Sequence, residues 1–373
     1  MESALKPLKI AGLALALIAP SAPSCAGEAV NLILNWTPTA DHSPFYYAKA
    51  QGWYEKAGID LNIEVGKGSG VSSLKVGSGG SPFGIADLAT MLVARGKGAD
   101  VVALMSIYAN TGQTFYWLKS YGVNGVKDFP GHRIGNPPGD ASRVMWPAFA
   151  KAAGIAPDAV NFVNIGPTAK IAALKSHSVD IISDFYNEHD LKVIEFGNDL
   201  GYLNWKDIGL NPYGNSLIVN GAFMEKNPKL TEDFVKISQR AFAACVADVD
   251  PCLKALLDQA SGLDKENQLR QWERIKFLMT DEFTTTKALG WIDGERMKRI
   301  TNWCRPISAW KSRSRSKARS PRSCSTPRSR WTRARSGSEA LLPRPVLHAE
   351  RVGVRGSRGR LSLADSPPHP GSR

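Results

Sequence analysis

Residues 31–61, NLILNWTPTADHSPFYYAKAQGWYEKAGIDL, constrain the fold more than any other stretch of the chain. Leu32, Ile33 and Leu34 predict a buried strand that ends at Asn35-Trp36, and a polar loop follows over 37–43. Pro44 stands in the first turn of the next helix, where its missing N–H costs nothing, with Ser43 as the expected N-cap. Phe45, Tyr46, Ala48 and Tyr54 mark that helix and Gly58 stops it. Residues 59–65 then alternate apolar and polar, the period of a second strand. The unit places Trp36 and His42 on a turn between the C-terminal end of a strand and the start of a helix. Open α/β sheets bind ligands at such turns.

The alternation continues. Short helices are expected over 71–76, 88–95, 142–153 and 167–176, and strands over 83–87, 101–107, 114–118, 160–165 and 179–184. Residues 215–220 look like a returning strand, and 225–300 read as helix, punctuated by Asn227-Pro228, Asp250-Pro251 and Gly262. Two segments echo each other. Ser73-Leu74-Lys75 precedes Phe83-Gly84-Ile85-Ala86-Asp87, and Ala173-Leu174-Lys175 precedes Val179-Asp180-Ile181-Ile182-Ser183-Asp184. Each is a helix, a small turn and a strand closing on an acid, as two α/β lobes of similar build with mainly parallel sheets would give.

The net charge of +13 invites a nucleic-acid partner, but its placement argues against one. Seventeen of the 47 Lys and Arg and three of the 34 Asp and Glu fall after Trp303, leaving 30 basic and 31 acidic residues before it. The tail from about Cys304 is rich in Arg, Ser and Pro without helical or strand period, which is the composition of a disordered segment. It is also what GC-rich DNA read out of frame encodes, so a frameshift near 301–306 is expected. At the other end, Lys6 and Lys9 precede an apolar run over 10–18, too short to span a bilayer, and Ser24-Cys25-Ala26 fits a signal cleavage site. Ala22-Pro23-Ser24-Cys25 is a poor lipobox, so export into the periplasm with cleavage near Ala26 is expected rather than a lipid anchor at Cys25. An exported chain permits a disulfide between Cys245 and Cys252, and two unpaired cysteines fit the sequence as well. No His/Cys cluster has metal-ligand spacing.

The opening motif, followed by FGIADLATML, resembles the NMT1/THI5-like substrate-binding proteins of ABC importers, above all those that bind thiamine pyrimidine precursors. The resemblance covers about residues 29–300. It implies a two-lobed periplasmic binding protein fold of type II, α/β, with mixed, mainly parallel sheets and a ligand cleft between lobes that close by hinge motion. Lobe one would comprise 28–117 with 217–303, and lobe two 118–216. It also implies an ABC permease as partner, with the membrane met only through that permease, no nucleic acid and no cofactor. The same group includes a fungal pyrimidine synthase that uses pyridoxal phosphate. Where that enzyme has a Lys and a His this chain has Ala86 and Thr90, and in place of its cysteine-rich run stand Asn211-Pro212-Tyr213-Gly214-Asn215. A binder rather than an enzyme is therefore expected. Other solutes of the group, a flavin, sulfonate or nitrate, remain alternatives.

An aminopyrimidine offers two flat faces, ring nitrogens that accept and an exocyclic amine that donates. Aromatic rings can sandwich the faces, and a carboxylate can pair with a protonated ring nitrogen and the adjacent amine. Trp36 occupies a cleft-facing turn of lobe one, and the resemblance implies Tyr186 as ring stacker and Glu188 as amine acceptor from lobe two. Asn35, His42, Asp87 and Tyr108 complete the candidate ligand set at strand ends and helix starts. Each has a structural alternative. Trp36 could pack beside its turn, and His42 could bond nearby backbone. Asp87 could cap a helix, Tyr108 could cover the sheet, and Glu188 could be a solvated loop acid. Ser142 is expected to cap the helix it opens, and the glycine-rich 66–70 segment, which lacks P-loop spacing, reads as a strand–helix turn.

Overall fold

A computed structural model describes residues 27–308. The expected signal sequence over 1–26, with Cys25, and the basic tail beyond Ser308 lie outside the described residues. The strands are β1 (Glu28–Ile33), β2 (Ile59–Glu64), β3 (Phe83–Asp87), β4 (Val101–Ser106), β5 (Gln113–Leu118), β6 (Arg133–Asn136), β7 (Asn161–Asn164), β8 (Ile181–Phe185), β9 (Leu200–Asn204) and β10 (Asn215–Asn220). The helices of the first half are α1 (Ser43–Ala50), α2 (Trp53–Lys56), α3 (Ser69–Gly77), α4 (Leu88–Gly96), α5 (Ala141–Val144), α6 (Trp146–Ala153), α7 (Lys170–Lys175) and α8 (His189–Phe196). The remainder are α9 (Gly221–Lys226), α10 (Pro228–Ala247), α11 (Asp250–Gln259), α12 (Lys265–Met279), α13 (Glu282–Thr286) and α14 (Gly294–Ser308).

The strands form two sheets with the same plan. In the first, β1 pairs in parallel with β2 and β3, and β10 runs antiparallel between β3 and β4, giving β2-β1-β3-β10-β4. In the second, β6 pairs in parallel with β7 and β8, and β5 runs antiparallel between β8 and β9, giving β7-β6-β8-β5-β9. In each sheet four strands run one way and the inserted strand runs the other. The two halves of the sequence echo, β3 and β8, hold the same place in their sheets. This is the periplasmic binding protein fold.

The chain crosses between the lobes twice, over 107–112 and 205–214. The crossings are stitched together where the N–H of Tyr108 donates to the Asn215 carbonyl at 2.9 Å and that of Gly214 to the Tyr108 carbonyl at 3.0 Å. A lobe boundary at 117/118 is therefore moved: β5 belongs to the second sheet and β10, from Asn215, to the first. Strand β9 has no counterpart among the strands expected from the sequence. It is an edge strand with Gly201 and an exposed Tyr202, so it lacks the apolar run that marked the others.

Several local expectations change. Ser43 does not cap α1; a 3-10 turn over Ala40–His42 precedes the helix, and the Ser43 hydroxyl donates back to the Ala40 carbonyl. The helix expected over 142–153 breaks at Met145 into α5 and α6, since Pro147 cannot continue the hydrogen-bond ladder. Cys304, where the tail was expected to begin, is part of the described fold. It is buried inside α14, with its thiol donating to the Ala89 carbonyl of α4 at 3.4 Å. Cys245 and Cys252 form a disulfide that ties the end of α10 to the first turn of α11. Among the described residues no helix is long and apolar enough to cross a membrane.

Candidate functional site

Between the lobes lies a small cavity of about 30 Å³, room for a water or two, so a ring-sized ligand needs the cleft to open further. Lobe one lines it with the turn after β1, the start of α3 and the start of β10. Lobe two contributes the turn before α5, the first residue of α7, and the end of β8 with the 3-10 turn over Tyr186–Glu188. The walls meet closely. The Gly70 N–H donates to the Gly139 carbonyl at 3.0 Å, and a Cβ on Gly68 would fall 2.4 Å from that oxygen. Gly68 also holds φ at +125°, so the 66–70 turn needs glycine both for conformation and for contact with the other lobe.

The lobe-one wall is a closed hydrogen-bond network. The Thr39 N–H donates to His42 Nδ1 at 3.1 Å, which leaves the ring proton on Nε2, and Nε2 donates to Asn35 Oδ1 at 3.0 Å. Asn35 Nδ2 donates to Asn215 Oδ1 at 3.1 Å, and Asn215 Nδ2 to Asp41 Oδ2 at 2.9 Å. The Thr39 hydroxyl donates to Asp41 Oδ1 at 2.6 Å. Burial lowers the His42 pKa, against the pull of Asp41, so the ring stays neutral. His42 lines the cavity, but both its nitrogens are committed, and its role is to fix Asn35.

The lobe-two wall is ionic. Asp140 caps α5 by accepting from the Ser142 N–H at 2.9 Å and hydroxyl at 2.6 Å; Ser142, expected as the cap, donates to it instead. Lys170 Nζ lies 2.9 Å from Asp140 and 3.6 Å from Asp184, and 4.3 Å above the Trp36 ring of the other lobe. Lys192, with a side chain 0% exposed, reaches Asp184 at 2.5 Å and Glu188 at 3.1 Å. Burial opposes ionisation of Asp184, yet Lys170 and Lys192 hold its carboxyl well below the usual carboxylate range. Burial and the Asp184 charge push Glu188 the other way, up to about 7. Burial works against the Lys170 charge, and the surrounding acids outweigh it and raise its pKa.

The cavity thus brings together Asn35, Trp36, His42 and Glu188 of the sequence candidates. It does not bring in three others. Asp87 is buried as the N-cap of α4, accepting from the Thr90 N–H and hydroxyl at 3.0 Å each. Tyr108 is fully buried in the crossing segment, where burial and the Asp41 charge raise its pKa well above that of a free tyrosine. Tyr186 faces away from the cavity. In a 3-10 turn residues three apart eclipse, so Phe185 and Glu188 share the cavity side while the Tyr186 ring packs at a tilt against His189, 4.9 Å away, outside it. A sandwich of Trp36 and Tyr186 is accordingly not built; Phe185 is the aromatic that lobe two presents.

The residues that sequence reasoning missed are Asp41, Asp140, Lys170, Asp184, Asn187 and Asn215. Asp184 carried a signal, as the acid closing the second half of the internal echo. Lys170 carried none, because a lysine at the start of a helix ordinarily faces water. Four acids line the cavity, and its cation Lys170 is already matched by Asp140 and Asp184. Such a wall suits a ligand that donates hydrogen bonds and disfavours an anion. Among the described residues no group of three His, Cys, Asp or Glu is placed to hold a metal.

A family profile described as NMT1/THI5 like matches residues 39–250. The formylaminopyrimidine-binding protein of Halalkalibacterium halodurans is 23% identical over 282 residues, covering 74% of this chain and 84% of that protein. The riboflavin-binding protein RibY of Chloroflexus aurantiacus is 25% identical over 287 residues, covering 74% and 80%. A shorter stretch of 107 residues, 28% of this chain and 31% of the relative, is 33% identical to the 4-amino-5-hydroxymethyl-2-methylpyrimidine phosphate synthase of Schizosaccharomyces pombe. Among solved structures, the alkanesulfonate-binding protein SsuA from Xanthomonas axonopodis pv. citri bound to MOPS superposes with a TM-score of 0.58 at 14% identity, covering 73% of this chain and 89% of that one.

Proposed function

The chain belongs to the NMT1/THI5-like family, and on that premise we propose that it is the solute-binding component of an ABC importer. Its ligand is a small heteroaromatic of the hydroxymethylpyrimidine or formylaminopyrimidine kind, captured between the lobes in the periplasm and delivered to a permease. The observation that carries this reading is the acid-rich cavity wall around Glu188, with its lysines already paired. An exocyclic amine and a protonated ring nitrogen donate to Glu188, while the Asn35 amide donates to a ring acceptor. The ring lies against Trp36. A sulfonate or nitrate would meet carboxylates without an unpaired cation to offset their desolvation.

A binder is favoured over a synthase because the synthase's Lys and His positions correspond here to Ala86, buried in β3, and Thr90, whose hydroxyl donates to Asp87. A thermal-shift screen of the protein against hydroxymethylpyrimidine, formylaminopyrimidine, riboflavin, an alkanesulfonate and nitrate tests the reading. Stabilisation by a pyrimidine and none by the anions is expected. No shift with either pyrimidine would sink it, a shift with riboflavin alone would move the ligand to a flavin, and an absorbance band on adding pyridoxal phosphate would revive the enzyme.

A further inference from the structure

The 3-10 turn that brings Glu188 to the cavity also carries Asn187, a residue 4% exposed that lines the same space. Its Nδ2 donates to Gln271 Oε1 at 3.3 Å, across the cleft on α12. Its Oδ1 is buried and has no hydrogen-bond partner. An acceptor shut away from water without a donor is costly, and proteins retain few of them without a use. The residue that carries this atom is itself part of the cavity lining. One turn along α12, on the same face as Gln271, Arg274 grips Asp190 of α8 with two nitrogens at 3.1 and 2.8 Å. The turn bearing Asn187 and Glu188 is thus held from the opposite lobe, and the amide of Asn187 takes this orientation only where the lobes meet.

We propose that Asn187 is a specificity-determining residue whose Oδ1 accepts an N–H of the bound heteroaromatic, and that Gln271 is the positioning residue that aims it. This rests on the heteroaromatic reading of the cavity and sharpens it: the ligand must present an N–H donor to Asn187 on the edge that meets Glu188. Both an exocyclic ring amine and a ring imide N–H supply that chemistry. Because Gln271 belongs to the other lobe, recognition by Asn187 is completed only as the cleft closes, so a ring without that donor closes the lobes over an unpaired acceptor.

Paired probes test this in the full-length protein by calorimetric titration. One pair is 4-amino-5-hydroxymethyl-2-methylpyrimidine and its counterpart with methyl in place of the 4-amino group; the other is riboflavin and 3-methylriboflavin. For the pair that binds, Asn187→Leu should weaken the N–H-bearing member by about 10–100-fold and its counterpart by less than about threefold, the asymmetry of losing a partner for a buried polar group. Gln271→Leu, outside the cavity, should reduce the same ratio by about three- to tenfold, which a general loss of structure would not do. Equal losses for both members, or no loss in either variant, overturns the role of Asn187 and leaves the heteroaromatic reading standing. A wild-type protein that binds neither N–H-bearing member overturns both.

Discussion

Asp87 and Asp184 occupy matching places in the two lobes, at the C-terminal ends of β3 and β8, and both are buried. Their chemistry is opposite. Asp87 is surrounded by hydrogen-bond donors and no lysine, and burial pushes its carboxyl up to about 6. Asp184 lies between Lys170 and Lys192, and in spite of equal burial those two charges hold it well below the usual range. One sheet plan used twice has therefore given a wall knit by hydrogen bonds around Asp41 and a wall built of ion pairs. The first fixes shape, through His42 and Asn35. The second has a proton and hydrogen bonds to redistribute, and so is the wall that can respond to a ligand.

The largest effect expected from this contrast is at Lys192. Lys192→Met should leave Glu188 without its cation and Asp184 with Lys170 alone, at 3.6 Å, and lower unfolding stability by about 3–5 kcal/mol, the cost of breaking a buried pair. Adding Asp184→Leu, which removes both charges, should regain much of that loss. Urea denaturation of the three proteins decides it. A Lys192→Met protein within 1 kcal/mol of wild type would mean that the ionic wall is not held as its 2.5 and 3.1 Å contacts imply.

A smaller effect belongs to Glu188, now in affinity rather than stability. Glu188→Gln should weaken pyrimidine binding by about 1.5–3 kcal/mol, the scale of a charge-assisted hydrogen bond. The wild-type affinity for a ligand that stays neutral should rise with pH around 7, as the carboxylate forms, and the variant's should not. Titration calorimetry at pH 6 and 8 reads both. Unchanged affinity in the variant would remove Glu188 from the site.

The contrast between the walls also explains what could be read in the sequence. The β1-α1-β2 unit, the position of Trp36 and the acids ending β3 and β8 follow from local period and turn chemistry, which act over a few residues. The pairing of Lys170 and Lys192 with Asp184 does not. Both lysines sit at ordinary helical positions, and only the tertiary fold shows that acids meet them away from water. Tyr186 was placed in the site by the family resemblance, and local pattern offers no check on it. Continuing the strand's two-residue period past Phe185 gives no warning that a 3-10 turn of period three takes over and carries the tyrosine outward. Lobe one was the more legible wall because its Asn35, Trp36 and His42 lie within seven positions of one another.

Asp87→Asn is the smallest of these perturbations and the one with the opposite sign. The folded protein holds the Asp87 pKa above its ordinary value, so the fold binds that proton more tightly than the unfolded chain does. Its contribution to stability is therefore fully present below about pH 4, declines as pH rises through about 6, and is flat above that. Asp184, with a depressed pKa, contributes stability above its ordinary carboxylate range and loses it as pH falls. Asparagine caps a helix about as well as aspartate and cannot ionise. The variant should keep the bond from the Thr90 N–H and be more stable than wild type by about 1–2 kcal/mol at pH 8, with the gap closing towards pH 4.5. Urea midpoints at those two pH values test the sign directly. A variant less stable at pH 8, or a gap that is the same at both, would show that Asp87 is ionised and held by its donors, and the two lobes would then treat their buried acids alike.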